Sequence, residues 1–280
     1  MNDAASLQAA AWLGAHAAGL FAAVSVLLVA VTLLGWNLLQ HTARSRSGVP
    51  ATAPSHRMRV AMGCALVALS SAAFAWLAKE LLDGSALSAL DLTFVDSLAS
   101  AVPAGVVQAA ALLTRLGDPA TLGVLGVAVS AALLLRRHVG LMLGWAVALG
   151  GNGLLNPALK QLFARLRPPH AAEGASASGF SFPSGHSSGT VVAFGMLAYL
   201  GLRLLPTRWH LPVLLTAVLL AFSVGVSRII LRVHYASDVA AGFASGTAWL
   251  AVCVTGIEFG RWLRHRAALA KGGEQRAAAE

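Results

Sequence analysis

Three short polar segments of this hydrophobic sequence carry side chains that could do chemistry together. The segment FSFPSGHSSGT covers residues 180–190, SRIILRVHYASD covers residues 227–238, and the basic residues Lys160 and Arg167 precede both. Cations and hydroxyl groups bind oxyanions, while the charge of histidine changes near neutral pH. The combination predicts a site that binds an anion and moves a proton.

The first segment is predicted to start a helix. Pro183 fixes the backbone just before the tripeptide SGH at 184–186, and an apolar run begins within a few residues. A helix N-terminus offers unpaired amides and a positive dipole end, which favour phosphate. We expect Gly185 to let an oxyanion approach the backbone and Ser184 to donate a hydroxyl hydrogen bond. An ordinary Ser-capped helix start explains the same residues equally well.

The later segment supplies a candidate nucleophile or base. His234 and Asp238 are four residues apart, so they share a face if a helix starts near His234. A carboxylate bonded to one imidazole nitrogen fixes the tautomer and makes the other nitrogen a better nucleophile or base. The alternative is that Asp238 only caps a helix. Arg228 adds a cation to the same segment.

The rest of the chain must position these groups, and its composition indicates how. The 280 residues are 57% hydrophobic and 11% charged, whereas about a quarter of the residues of a soluble domain are charged. A helix of about 20 apolar residues spans the hydrocarbon core of a bilayer. Seven such runs occur, at 17–39, 60–78, 119–135, 139–159, 188–205, 211–230 and 236–258. The predicted fold is an all-α polytopic membrane helical bundle with about seven transmembrane helices.

The positive charge of the chain is mainly a topology signal. The formal charge is +9, and most of the 20 Lys and Arg residues lie on alternate connections between the apolar runs. The positive-inside rule makes that side cytoplasmic, so nucleic-acid binding is not expected. The N-terminus then lies outside, and the three polar segments face the outer side of the membrane. Seven basic residues are left on the outer side: Lys79, Arg115, Lys160, Arg165, Arg167, Arg228 and Arg232.

The chain divides into an N-terminal transmembrane helix with a basic cytoplasmic linker (1–59), a six-helix core (60–258) and a cytoplasmic tail (259–280), whose last part is predicted to be disordered. The long outer connection at 79–118 contains an apolar stripe at helical spacing, which predicts a short helix in the membrane interface. Asp91 falls inside this stripe and is at odds with that interpretation.

Taken together, the polar segments resemble the signature of a known family. Lys160 and Arg167-Pro168 form K-x6-R-P, residues 183–186 form P-S-G-H, and residues 227–238 form S-R-x5-H-x3-D. These three motifs, in this order, resemble those of the type 2 phosphatidic acid phosphatase family, which is related to the vanadium haloperoxidases. The resemblance covers about residues 60–258. Many relatives have Gly where Arg232 stands, and we expect Arg232 to extend the anion site.

The resemblance implies a role for each motif position. His234 attacks phosphorus to give a phosphohistidine, with Asp238 orienting its ring. His186 protonates the leaving lipid oxygen and then helps to activate water. The groups implied to bind the phosphate are Lys160, Arg167, Arg228, Ser184 and the amide of Gly185. No carboxylate cluster suited to Mg²⁺ is visible in the sequence, so the predicted enzyme needs no metal and no cofactor.

The predicted function is an integral membrane lipid phosphatase on the outer face of a bacterial cytoplasmic membrane, with undecaprenyl diphosphate as the favoured substrate. Phosphatidic acid and phosphatidylglycerophosphate are close alternatives, because the motifs recognise phosphate and not the lipid tail. A lipid phosphotransferase would use the same site with another acceptor. The alternative from another class is a transporter or headgroup-binding protein without catalysis. The predicted partners are the bilayer and a lipid phosphate, and the sequence leaves the oligomeric state open.

Overall fold

The computed structural model describes residues 3–45, 56–84, 86–172 and 178–277, and within them it contains helices and no strand. Two short 3₁₀ helices cover Thr114–Gly117 and Thr207–Trp209. The α-helices are α1 (Asp3–Ala15), α2 (Ala17–Ser45), α3 (His56–Leu82), α4 (Leu87–Ala101), α5 (Ala104–Leu113), α6 (Pro119–Leu135), α7 (Val139–Phe163), α8 (Gly185–Leu204), α9 (His210–Ile230) and α10 (Ala236–Ala277). The predicted all-α fold is confirmed.

Six of the described helices are long and apolar enough to cross a membrane: α2, α3, α7, α8, α9 and α10. The remaining predicted span is α6, whose 17 residues extend about 26 Å at 1.5 Å per residue. That length is slightly below the roughly 30 Å of a hydrocarbon core. The chain is therefore a multi-span membrane protein, as predicted, with α6 shorter than the other spans.

Helix α8 lies at the centre of the bundle, and more than half of its apolar stretch is buried. It packs against α7, α9 and α10. Its contact with α10 is close because Gly242 and Gly246 form a GxxxG pair on α10. A Cβ atom on Gly242 would lie 2.6 Å from the carbonyl oxygen of Ser184, and one on Gly246 would lie 2.8 Å from that of Ser188.

The long connection predicted at 79–118 folds into α4 and α5, which are bent by 117° relative to each other. The apolar stripe of α4 does form one face, with Phe94 and Leu98 buried against Ala17. Helix α1, which the sequence did not predict as a separate element, packs on α4. Asp91 is buried within the stripe, and its ion pair with Arg165 accounts for its position there.

The prediction of a disordered tail is wrong for most of its length. Helix α10 continues without a break from Ala236 to Ala277, because this segment is rich in Ala, Glu, Lys and Arg, which favour helix. The basic linker after the first span lies largely outside the described residues, since α2 ends at Ser45 and α3 begins at His56.

Candidate active site

One end of the bundle encloses the polar part of a cavity of about 1270 Å³. The C-terminal ends of α7 and α9 and the N-terminal ends of α6 and α8 meet there. Six of the eight residues predicted from the motifs line this cavity, namely Lys160, Arg167, Gly185, His186, Arg228 and His234. The other two, Ser184 and Asp238, are buried behind it. The segments that are far apart in the sequence therefore converge, and both histidines face one space.

His234 follows α9, and its side chain is 2% exposed. Its Nε2 atom lies 3.0 Å from Nη1 of Arg167, and its Nδ1 atom lies 3.4 Å from Oδ2 of Asp238. Arginine can only donate, so Nε2 is the unprotonated nitrogen and Nδ1 carries the hydrogen. Among the described residues Nδ1 has no closer polar partner. The arrangement directs the lone pair of Nε2 towards the cations that line the cavity.

The pKa of His234 is lowered to about 3, mainly by burial, with Asp238 opposing the shift and the charges of Arg167 and Lys160 adding to it. A buried imidazole is neutral near pH 7 for this reason. A neutral imidazole is the form that can attack phosphorus. The environment of His234 thus fits a nucleophile better than a proton donor.

Asp238 is held in place from several sides. Its Oδ1 atom accepts a hydrogen bond of 2.7 Å from Nη1 of Arg165. Its Oδ2 atom accepts from the backbone N–H of Tyr235 at 2.9 Å and from the hydroxyl of Ser181. Arg165 in turn donates to Oδ2 of Asp91 at 2.8 Å. Asp238 is 0% exposed, so these partners also offset the cost of burying its charge.

Three of the predicted cations line the cavity. Nζ of Lys160, in the last turn of α7, donates to the carbonyl oxygen of Phe180 at 2.5 Å. Arg167 donates through Nε to the carbonyl of Gly179 at 2.9 Å and through Nη1 to that of Val233 at 2.7 Å. Arg228 donates through Nη1 to the hydroxyl of Thr114 at 2.8 Å. These contacts fix the cations before any substrate binds.

Arg228 also keeps a free donor. Its Nε atom is buried and has no hydrogen-bond partner among the described residues. Leaving a charged donor unsatisfied is costly, and a phosphate oxygen in the cavity would satisfy it. The side chain is therefore arranged for an anion that binds from the cavity.

Four of the seven basic residues left on the outer side do not line the cavity, namely Lys79, Arg115, Arg165 and Arg232. Arg165 points away from the cavity to the two carboxylates of Asp91 and Asp238. Arg232, which was expected to extend the anion site, does not line the cavity and has a left-handed backbone with φ of 54°. That expectation is wrong, because the turn after α9 directs Arg232 elsewhere.

The PSGH segment forms a helix cap at Ser184 and borders the cavity at Gly185. Ser184 is the N-cap of α8 and its hydroxyl accepts from the N–H of Ser187 at 3.4 Å, so in this structure it caps the helix. Gly185 lines the cavity, where a Cβ atom would lie only 2.9 Å from Oδ1 of Asn156. Glycine is therefore needed here for space, and it leaves the helix N-terminus open to an anion.

His186 is paired with an aspartate that the sequence analysis did not identify. Its Nε2 atom lies 2.9 Å from Oδ1 of Asp118, the residue directly before α6. Asp118 was missed because an aspartate before a helix is an ordinary cap. Asp91, Arg165 and Ser181 were missed as supports of Asp238, and only the position of Asp91 inside an apolar stripe signalled an unusual role.

Away from the charged groups the cavity becomes apolar. It continues between α6 and α7 as far as Leu134 and Met142, near the opposite ends of those helices. Across the described ranges, no group of three His, Cys, Asp or Glu side chains is placed to hold a metal ion. Independence from metal remains a prediction for experiment.

Comparison with known proteins agrees with this geometry. Residues 139–262 match the model of the PAP2 superfamily. The chain is 35% identical over 136 residues to phosphatidylglycerophosphatase B of Bacillus subtilis, which covers 48% of this chain and 66% of that protein. It is 38% identical over 119 residues to lipid A 1-phosphatase of Rhizobium johnstonii, covering 39% of this chain and 44% of that protein. The matches span less than two thirds of either relative.

A solved structure is also similar. The crystal structure of a transmembrane PAP2 type phosphatidylglycerolphosphate phosphatase from Bacillus subtilis matches with a TM-score of 0.63 and 28% identity. The match covers 67% of this chain and 93% of the solved chain. Two thirds of this chain therefore has a counterpart of known architecture.

Proposed function

We propose that this chain, whose residues 139–262 match the model of the PAP2 superfamily, is a membrane lipid phosphatase of that superfamily that works through a phosphohistidine. The observation that carries the proposal is the single cavity lined by His186, His234 and three cations. The relatives named phosphatidylglycerophosphatase and lipid A 1-phosphatase support the same class of reaction.

In the first step the phosphate of the lipid lies among Lys160, Arg167 and Arg228. Arg167 releases Nε2 of His234 to bind phosphate, and Nε2 attacks phosphorus. The bond between phosphorus and the lipid oxygen breaks, and His186 gives a proton to that oxygen. Phosphoryl transfer depends mainly on positioning and on stabilising negative charge, and fixed guanidinium groups meet both needs. Asp238, whose Oδ2 atom lies 3.4 Å from Nδ1, stabilises the positive charge that develops on the His234 ring.

In the second step water cleaves the phosphohistidine. His186, now without its proton, takes a proton from the attacking water, whose oxygen bonds to phosphorus. The bond between phosphorus and Nε2 of His234 breaks, which restores the neutral imidazole and frees inorganic phosphate. The low pKa of His234 supports this role because the ring leaves as a neutral group.

The position of the basic residues supports a site on the outer face of the membrane. Arg136 follows α6 and Arg203 lies in the last turn of α8, at the end of the bundle opposite the polar part of the cavity, and Arg208 precedes α9 at that end. Under the positive-inside rule that end is cytoplasmic. The apolar part of the cavity between α6 and α7 has room for a lipid tail.

The phosphate-binding side chains do not distinguish between several lipids that end in a phosphate. Undecaprenyl diphosphate, favoured from the sequence, phosphatidic acid and phosphatidylglycerophosphate all present a terminal phosphate to the three cations. The proposal at this level is therefore the lipid phosphate class.

The test is phosphate release from these three lipids by the purified full chain in detergent with EDTA. We expect release from at least one lipid with the chelator present, and a loss of about 10⁴-fold in kcat for His234→Ala. Arg232→Gly is the matched control, since glycine adopts the left-handed backbone at this position without strain. Equal rates for His234→Ala and the unmodified chain would overturn the assignment of the nucleophile. Absence of release from every lipid would overturn the function.

A further inference from the structure

Asp118 has a contact that its place in the sequence does not explain. It lies directly before α6, yet its side chain makes no capping hydrogen bond to that helix. Instead its Oδ1 atom lies 2.9 Å from Nε2 of His186. The side chain is 44% exposed and lines the same cavity as the cations. Helix capping is thus not its role, and its carboxylate faces the substrate space.

Asp118 is the one carboxylate among the described residues that line this cavity. It lies beside the predicted proton donor, while His234 attacks phosphorus from elsewhere in the cavity. In an in-line displacement the leaving group departs on the side opposite the nucleophile. The negative charge of Asp118 is therefore located where the leaving group leaves and not where the transferred phosphate binds.

The two kinds of lipid phosphate respond differently to such a carboxylate. A phosphate monoester expels an alkoxide, which is strongly basic and needs the proton of His186. Asp118 helps there, because it orients the ring and stabilises its protonated form. A lipid diphosphate expels a phosphate monoester, which is weakly basic and gains little from that proton. Its own negative charge is then brought next to Asp118, and repulsion opposes its departure.

We infer that Asp118 makes this site selective for lipid phosphate monoesters over lipid diphosphates, an inference that rests on the proposed function. It places undecaprenyl diphosphate behind phosphatidic acid and phosphatidylglycerophosphate as a substrate. A like charge a few ångströms away at a partly screened site costs about tenfold to a hundredfold.

The test uses two lipids with identical acyl chains, phosphatidic acid and diacylglycerol diphosphate, so that only the leaving group differs. kcat/KM is measured for both with the full chain in detergent. We expect a preference for phosphatidic acid. Asp118→Asn should lower kcat/KM for phosphatidic acid by about tenfold to a hundredfold, because His186 loses its charged partner. The same variant should raise kcat/KM for the diphosphate, because the repulsion is removed, so that the preference falls by at least about tenfold. Asp118→Glu should retain most of the preference.

Asp83→Asn is the matched control. Asp83 is also a partly exposed aspartate, paired with Lys79 at 2.9 Å and remote from the cavity lining. The Asp83→Asn variant should leave kcat/KM for both lipids unchanged. If Asp118→Asn does not fold, the preference of the unmodified chain and of Asp118→Glu decides the question.

The possible results distinguish a failure of this inference from a failure of the proposed function. Two results would overturn the inferred selectivity without affecting the proposed phosphatase function. One is an equal loss of kcat/KM for both lipids in Asp118→Asn, and the other is a higher kcat/KM of the unmodified chain for the diphosphate. An unmodified chain that releases phosphate from neither lipid would overturn the proposed function and the inference with it.

Discussion

Nη1 of Arg165 lies 2.7 Å from Oδ1 of Asp238, and Nη2 of the same guanidinium lies 2.8 Å from Oδ2 of Asp91. One arginine thus bridges Asp238, the carboxylate beside His234, and a carboxylate on α4. Arg165 is 8% exposed, and both carboxylates are less exposed still. The helix that the sequence suggested to be an interfacial connection is therefore part of the support of the site.

Asp91→Ala should destabilise the folded protein, because it removes one of the two carboxylates that pair with the buried guanidinium of Arg165. Breaking one side of a buried ion pair costs about 3–5 kcal/mol. Thermal unfolding in detergent measures the change. Asp96→Ala on the same helix is the control, since Asp96 is exposed, and a change of equal size in both variants would contradict the prediction.

Asp238→Asn should retain the fold and lose most of the activity. An amide no longer stabilises the charge that develops on the His234 ring, and the corresponding change in a catalytic triad costs about 10⁴-fold in kcat. Single-turnover measurements of phosphohistidine formation provide the readout. Slower release of phosphate with normal formation of the intermediate would argue against a role for Asp238 in the attack.

Arg228→Ala should weaken the binding of inorganic phosphate by about tenfold to a hundredfold, since a hydrogen bond to a charged group contributes about 1.5–3 kcal/mol. Inhibition of the lipid reaction by inorganic phosphate measures this binding. Arg232→Gly, which removes a cation from the same turn region but outside the cavity, should leave the inhibition constant unchanged. Similar weakening in both variants would mean that general charge, and not Arg228 in the cavity, binds the anion.

The buried neutral His234 should make the protein less stable in acid. Its folded-state pKa of about 3 lies below the value of about 6.5 for a free imidazole. As the pH falls through this interval, the unfolded chain binds a proton that the folded chain does not, so stability is lost. In His234→Gln this contribution is absent. The melting temperature should therefore fall less between about pH 7 and about pH 5 in the variant than in the unmodified chain, and equal falls would contradict the low pKa.

The sequence was sufficient to predict the elements and the motif residues, and insufficient to predict their supports. The runs that became α2, α3 and α7 to α10 are visible because burial in lipid demands long apolar helices. Lys160, His186 and His234 stand out because their segments are polar in an apolar chain and lie on the side where the positive-inside rule expects few cations. The contact of Asp91 with Arg165 joins residues 74 positions apart, and that of Asp118 with His186 joins residues 68 apart. No local spacing reports such pairs, which depend on how the helices pack.

The close crossing of α8 and α10 at the GxxxG pair affects how the site responds to bilayer thickness. The N–H of Ser184 donates to the carbonyl of Asp238 at 2.9 Å, beside the point where Gly242 brings the two backbones together. His186 lies in the first turn of α8, and Asp238, which lies beside His234, is in the first turn of α10. Bilayers of different thickness tilt and slide helices, but two helices fastened at their first turns shift as a unit. The distance between proton donor and nucleophile should then be insulated from changes in membrane composition.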